Sequence, residues 1–192
     1  MTTDRLEPYT VTEPGNGTLE VFPLAPDEQV LLALLTELFR DHWDKIHFGL
    51  LIQGAVFEIK VSEPPEKIGM LDGYLTVDFG AWHFHICIGE HRGTRKDPVA
   101  PELAHHRRTG RAEFYRRLNP DGSVGSWGIR LFNGKDEQQI TIFLPNAFLS
   151  DEMRFLKTPD WSRLVLWDDL RRRYLGLEPD PKDRSGKTMF HQ

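Results

Sequence analysis

Residues Trp82–Ile88 alternate without a break, and that alternation limits what this stretch can become. Trp82, Phe84, Ile86 and Ile88 are large and apolar, while His83, His85 and Cys87, the only cysteine, fall between them. Successive side chains of a β-strand point to opposite faces, so two imidazoles and one thiol share one face and an apolar layer lies behind it. The preceding segment, Tyr74–Phe79, alternates too, and Gly80-Ala81 separates the two runs. A two-residue turn beginning with glycine predicts a hairpin in which Asp78 faces His83, Thr76 faces His85 and Tyr74 faces Cys87.

That face carries two chemical readings. His-x-His on one strand sets the two rings about 7 Å apart on one side, a spacing suited to two ligands of one ion. His83, His85, Cys87 and Asp78 are the candidate metal ligands, for zinc or non-haem iron, with Asp78 alternatively orienting His83 from behind. The bland reading of the same residues is a half-buried polar face whose histidines bond to Thr76, Asp78 and backbone. Cys87 alone reads more readily as a small buried residue than as a nucleophile.

The remaining chain supplies the setting. A length of 192 residues suits one domain, and 39% hydrophobic with 28% charged residues describes an ordinary globular protein. A net charge of −5 argues against general nucleic-acid binding. A single cysteine excludes an internal disulfide. With neither a secretory leader pattern nor an apolar run of spanning length, the expectation is a cytoplasmic protein without a membrane segment. Residues 1–18 read as a flexible N-terminal arm, 19–177 as a single α+β domain, and 178–192 as a flexible C-terminal tail. Within the domain the pattern predicts mainly antiparallel strands with about three flanking helices. These helices cover 27–41, 101–118 and a last stretch from Thr158-Pro159 to Gly176. Strands are expected at 19–22, 55–61, 127–132 and 139–144, besides the 74–88 hairpin.

Residues 91–117 hold eight Lys and Arg against three acids. Arg107, Arg108 and Arg111 from this stretch are candidates to receive carboxylates or phosphates, although a solvated helix face would have the same composition. No P-loop, dinucleotide fingerprint, nucleophile elbow or H-E-x-x-H occurs, so the reading leans to a binding protein rather than an enzyme.

Several segments resemble, in order, the bacterial haem-utilisation carrier proteins of the ChuX/HutX and HemS/ChuS kind. Those segments are A-V-F-E-I with Glu58, then Pro64-Pro65, Gly73-Tyr74-Leu75-Thr76-Val77, His85-Ile86, Leu131-Phe132-Asn133-Gly134, and Ile140–Leu144. The resemblance covers roughly residues 50–145. It implies the fold of that family, haem as cofactor, a homodimer, and Tyr74 as a position that ligates haem iron in some members. This chain departs from the pattern at Leu51, where members often carry a haem-ligating histidine, with His47 four residues earlier. It departs again at Thr76 in place of asparagine, and at Pro145-Asn146 in place of Gly-Arg. The expected function is therefore haem or tetrapyrrole binding in haem and iron utilisation, with Tyr74, His83 and His85 as candidate ligands and Arg107, Arg108 or Arg111 pairing with propionates. A mononuclear metal protein and a non-catalytic oligomeric scaffold are the alternatives.

Overall fold

A computed structural model describes residues 7–52 and 54–187. In chain order the elements are β1 Tyr9–Glu13, β2 Gly17–Leu24, α1 Glu28–Asp41, β3 His47–Gly49, β4 Leu51–Ile52, β5 Ala55–Val56, β6 Lys67–Leu71 and β7 Tyr74–Asp78. There follow β8 His83–Cys87, α2 Pro101–Arg107, β9 Thr109–Leu118, β10 Val124–Asn133, β11 Gln138–Phe143 and α3 Val165–Leu170. The fold is α+β, with mostly antiparallel strands. The strands form a six-stranded sheet in the order β1-β2-β9-β10-β11-β3, a two-stranded sheet β4-β5, and a three-stranded sheet β6-β7-β8. The chain divides into two compact units. Residues 1–24, 113–129 and 143–192 form one unit, and residues 25–112 and 130–142 form the other.

In the second unit, Asp27 caps α1 by accepting from the Gln29 and Val30 amides, a contact worth about 1 kcal/mol. The helix buries Leu31, Leu34, Leu35, Leu38 and Phe39 completely. At about 1.5–3 kcal/mol per side chain this stripe is the main anchor of the unit. Phe39 meets Phe48 and Phe84 edge-on, with ring centroids at 4.9 and 5.2 Å. Phe84 belongs to the apolar side of β8, together with Ile86, and Leu75 and Val77 of β7 lie beside them. Of the apolar half of the Trp82–Ile88 alternation, Ile86 and Ile88 are core, Phe84 is half-buried and Trp82 stays exposed.

The first unit contains two corrections. The expected N-terminal arm over 1–18 is a strand in its described part. Tyr9–Glu13 pairs antiparallel with Gly17–Val21, and Val11 packs against Leu19, Val21 and Tyr115. The segment's proline, glycine and threonine content masks a run of strand-favouring residues, Tyr9-Thr10-Val11-Thr12. The expected tail over 178–192 is also ordered where described. Asp180 caps a 3₁₀ turn over Pro181–Arg184, and Asp183 is fully buried. Residues 1–6 and 188–192, including Met189 and Phe190, lie outside the described residues.

The helix expected over 101–118 is a third correction. It ends at Arg107, and Thr109–Leu118 is strand β9. Phe114 and Arg116 are fully buried, and Arg116 reaches Glu20, Asp180 and Asp183. A guanidinium on the buried face hid the period-two pattern. The last helix is broken up as well. A 3₁₀ turn over Trp161–Leu164 leads into α3, a π turn over Arg171–Leu175 follows, and left-handed Gly176 ends it as expected.

Candidate functional site

The hairpin β7–β8 forms in the expected register. Tyr74 pairs with Cys87, Thr76 with His85, and Asp78 with His83. Gly80, at φ +78°, makes the turn, the Ala81 amide donates to the Phe79 carbonyl at 2.9 Å, and Phe79 N–H donates to the Trp82 carbonyl. The Asp78 carboxylate accepts from the Gly80 amide at 2.9 Å. On the other side β6 adds Leu71 beside Tyr74, Gly69 beside Thr76 and Lys67 beside Asp78. One sheet face therefore carries Lys67, Asp78 and His83 at one end, Thr76 and His85 in the middle, and Tyr74 and Cys87 at the other end.

The two ends differ. At the first, His83 and His85 are exposed, with ring centroids 4.9 Å apart and an edge-to-face orientation. Thr76 Oγ1 lies 2.7 Å from His85 Nδ1. That contact fixes the ring through Nδ1, and among the described residues Nε2 has no protein partner; a neighbouring hydroxyl can orient a ligating imidazole in this way. Among the described residues no three His, Cys, Asp or Glu side chains converge on a point that could hold an ion. Cys87 and Asp78 thus do not complete a ligand set with His83 and His85.

At the second end, Cys87 is buried and its thiol donates to the Gly89 carbonyl at 3.6 Å. The Tyr74 phenol and the Cys87 thiol act on each other electrostatically, and Arg107 acts on both. Burial pushes the Tyr74 phenol above its usual value, and the nearby thiol adds to this while Arg107 opposes it. Burial also raises the Cys87 thiol, against the pull of Tyr74, Arg107 and Arg108. Neither group is activated as an anion here. The Tyr74 ring meets His91 edge-on at 5.0 Å. His91 was not among the candidates expected from the sequence. Its signal was only nearness in sequence, because the loop fold brings it over Tyr74.

That loop is tied down. Ile88 and Gly89 amides both donate to the Gly73 carbonyl, and the Arg92 and Gly93 amides donate to the two oxygens of Asp72. These backbone bonds, the Arg92 one first, hold the Asp72 carboxyl below its ordinary value. Asp72 Oδ2 lies 3.3 Å from His91 Nε2, and Arg107 Nη1 lies 3.4 Å from His91 Nδ1. Guanidinium nitrogens only donate, so this contact assigns Nδ1 as the acceptor and Nε2–H as the donor to Asp72.

The three arginine candidates separate. Arg107 joins Tyr74 and His91, and Arg108 is close enough to Cys87 to act on it electrostatically. Arg111 does not join them. It pairs with Asp136 at 2.7 Å and lies over the Phe132 ring at 3.5 Å, so it is held elsewhere. No helix among the described residues is long and apolar enough to cross a membrane.

On this face His85, held by Thr76, offers an imidazole nitrogen, and Arg107 offers a cation beside His91. No curated protein matches the chain. A family model does, over residues 8–176, and the chain belongs to that family of unknown function, DUF7676.

Proposed function

We propose that this protein binds haem or a closely related tetrapyrrole on the polar face of the β6-β7-β8 sheet, as part of cytoplasmic haem and iron handling. His85 is the iron ligand in this reading. The observation that carries it is the 2.7 Å contact between Thr76 Oγ1 and His85 Nδ1, which leaves Nε2 as the ring nitrogen for an iron to take. Tyr74 is the weaker candidate, because burial disfavours its phenolate. Haem iron would supply the redox or carrier chemistry, while Thr76 would orient the His85 imidazole and Arg107 would be offered to the propionates.

Titration of the full chain with ferric haem tests this. The expected result is a saturable Soret change at one equivalent per chain, abolished by His85→Ala and altered by Thr76→Val. A spectrum that changes only with Tyr74→Phe transfers the iron to Tyr74, and haem uptake indifferent to all three variants overturns the site. The 4.9 Å separation of the His83 and His85 rings favours a second reading, a zinc or iron ion held by both with water completing its shell. Stoichiometric metal without a Soret band, lost in His83→Ala and His85→Ala, would establish it.

We also propose a homodimer through the hairpin over 47–60. Phe48 bridges Ile59, Phe57 N–H donates to the Leu50 carbonyl, and Leu51–Ile52 pairs with Ala55–Val56. One face of this hairpin carries Phe48, Leu50, Ile52, Ala55, Phe57 and Ile59. Ile52 is 49% and Phe57 50% exposed, and Leu50 and Ile59 are 39% exposed. The segment over 55–59, β5 and the bridge at Ile59, has no proline to blunt its edge, so a second copy can pair with it. Sedimentation should give twice the 22.2 kDa chain mass, and Phe57→Asp should return it to one. A wild-type protein that sediments as a single chain at micromolar concentration overturns the dimer.

A further inference from the structure

We propose that His83 and His85 are half of a zinc site, and that a second copy of this chain completes it by laying its own β8 against the first. The two histidines of each copy then supply the four ligands of one ion. The inference rests on the two-histidine metal reading of this face and deepens it; it does not rest on the haem reading.

The argument begins with an incomplete ligand set. The His83 and His85 ring centroids lie 4.9 Å apart. Two imidazoles on one tetrahedral zinc, with nitrogens about 2.0–2.1 Å from the metal, hold their ring centres about 5 Å apart. Thr76 holds His85 by Nδ1, and His83 has no hydrogen bond or ion pair among the described residues. Each ring therefore has a nitrogen to give. No third His, Cys, Asp or Glu joins them among the described residues. The pair is two ligands short of the closed shell of a structural zinc.

The strand that carries them has an open edge. β8 is an outer strand of the β6-β7-β8 sheet. Phe79 N–H donates to the Trp82 carbonyl, and Ile88 N–H donates to the Gly73 carbonyl. Those bonds set the ladder to β7 on Trp82, Phe84, Ile86 and Ile88, so the backbone groups of His83, His85 and Cys87 point away from β7. The Cys87 carbonyl does so, accepting from Thr109 and Gln139. The N–H and C=O groups of His83 and His85 have no such partners among the described residues. Neither proline nor a charged side chain blunts the edge from His83 to Cys87.

These constraints leave one register for a symmetric pair. The Cys87 carbonyl is taken, and the Ala81 N–H is taken by Phe79. Two copies therefore pair antiparallel about a two-fold axis at Phe84, where only His83 and His85 are needed. His83 then faces His85 of the partner subunit, and the reverse, with both backbone bonds exchanged at each pair. The four Cα atoms form a rectangle of about 7 by 5.5 Å, with all four rings on one face. Asp78, opposite His83 on β7, adds negative charge beside the ion. On the other face the same pairing covers Trp82, which is 38% exposed, and brings the two Phe84 rings together. Four backbone bonds and that contact fall well short of a standard stable interface, so the ion holds the copies together.

Sedimentation of the full chain carrying Phe57→Asp, with and without zinc chloride, tests this, because that variant removes the hairpin contact proposed above. A zinc-dependent doubling of the 22.2 kDa chain mass is expected, complete at one ion per two chains and reversed by a chelator. The wild-type chain should show at least a doubling from its own zinc-free mass. His83→Ala and His85→Ala should each abolish the change, and Thr76→Val should weaken zinc binding. His105→Ala, which removes another exposed histidine, should leave it unchanged. Cobalt(II) in place of zinc reads the shell, and the intense visible absorption of a tetrahedral site is expected. Thermal melts of each variant show whether the fold is intact. One zinc per chain without a change of mass overturns this inference and keeps the two-histidine site with water completing its shell. No saturable zinc binding at micromolar concentration overturns both. A mass change that survives His83→Ala and His85→Ala also overturns the inference, since other groups then bridge the copies.

Discussion

The Trp127 indole donates its Nε1–H to Asp183 Oδ1 at 2.8 Å, and the other carboxylate oxygen accepts from Trp167 Nε1 at 3.0 Å. Arg116 and Arg171 approach the same carboxylate at 3.0 Å each. Burial pulls the Arg116 guanidinium down, but Asp183, Asp180 and Glu20 outweigh it and keep it raised. Arg171 is lowered by burial, with Arg116 adding to this and Asp183 opposing. One fully buried carboxylate is thus the counter-charge and the acceptor for four side chains. Asp183→Ala should cost about 3–5 kcal/mol, because it leaves buried cations and indole N–H groups without a partner. Urea denaturation measures it, and a loss below about 1 kcal/mol would show that these contacts contribute little.

The same cluster reverses what composition suggests about the C-terminus. Ending the chain at Leu177 removes Asp180, Lys182 and Asp183 together. The expected outcome is a loss at least as large as that of Asp183→Ala, or failure to fold. Ending it at Lys187 keeps every one of these contacts and should leave the melting temperature unchanged. Equal melting temperatures for the two truncations would contradict the docking of the 3₁₀ turn.

Acid should weaken this unit in a defined direction. Burial pushes the Glu20 carboxyl up, but Lys182 and Arg116 prevail and hold it below its ordinary value. Asp180 is lowered in the same way, by the Lys182 amide and Arg116 against burial. In the unfolded chain these groups titrate near about pH 4.3 and 3.9. Through that window the unfolded state binds more protons, so stability rises with pH. The contribution is complete above about pH 5 and is lost as pH falls through the lower folded values. Urea midpoints taken across this range should fall toward acid, and Glu20→Gln should flatten the slope. An unchanged slope in that variant would show that Glu20 does not carry the effect.

Legibility in the sequence followed periodicity. Trp82–Ile88, Tyr74–Phe79 and the leucines of α1 each put apolar residues on one side, and their register or helix came out as read. β9 failed the same test because Arg116 occupies the buried side, where the ion partners come from Glu20 and the segment around Asp183, far away in sequence. β6 and β3 were missed because Gly69 and Gly49 interrupt short strands and leave no alternation to count. At the site, the shared face of Tyr74, His83, His85 and Cys87 was legible. The division of that face was not, because it depends on a loop that folds His91 over Tyr74 and on Asp136 drawing Arg111 away.

The loop over the site hinges on Gly73, and that position gives the sharpest local test. Gly73 has φ +81°, follows Asp72 at φ +47°, and its carbonyl accepts from both Ile88 and Gly89. A Cβ added there would lie 2.6 Å from the Glu90 carbonyl carbon and oxygen. That neighbour is backbone, so no side-chain rotation relieves the clash, and the left-handed conformation adds its own cost of about 1–2 kcal/mol. Gly73→Ala should therefore lower stability by about 2 kcal/mol or more, and should move His91 off Asp72 and Arg107. Denaturation reads the first effect, and the His91 ring resonances read the second. An alanine variant with unaltered stability and unshifted His91 signals would show that this loop is not pinned through Gly73. Loss of stability with His91 unmoved would show that the strain is absorbed before it reaches the site.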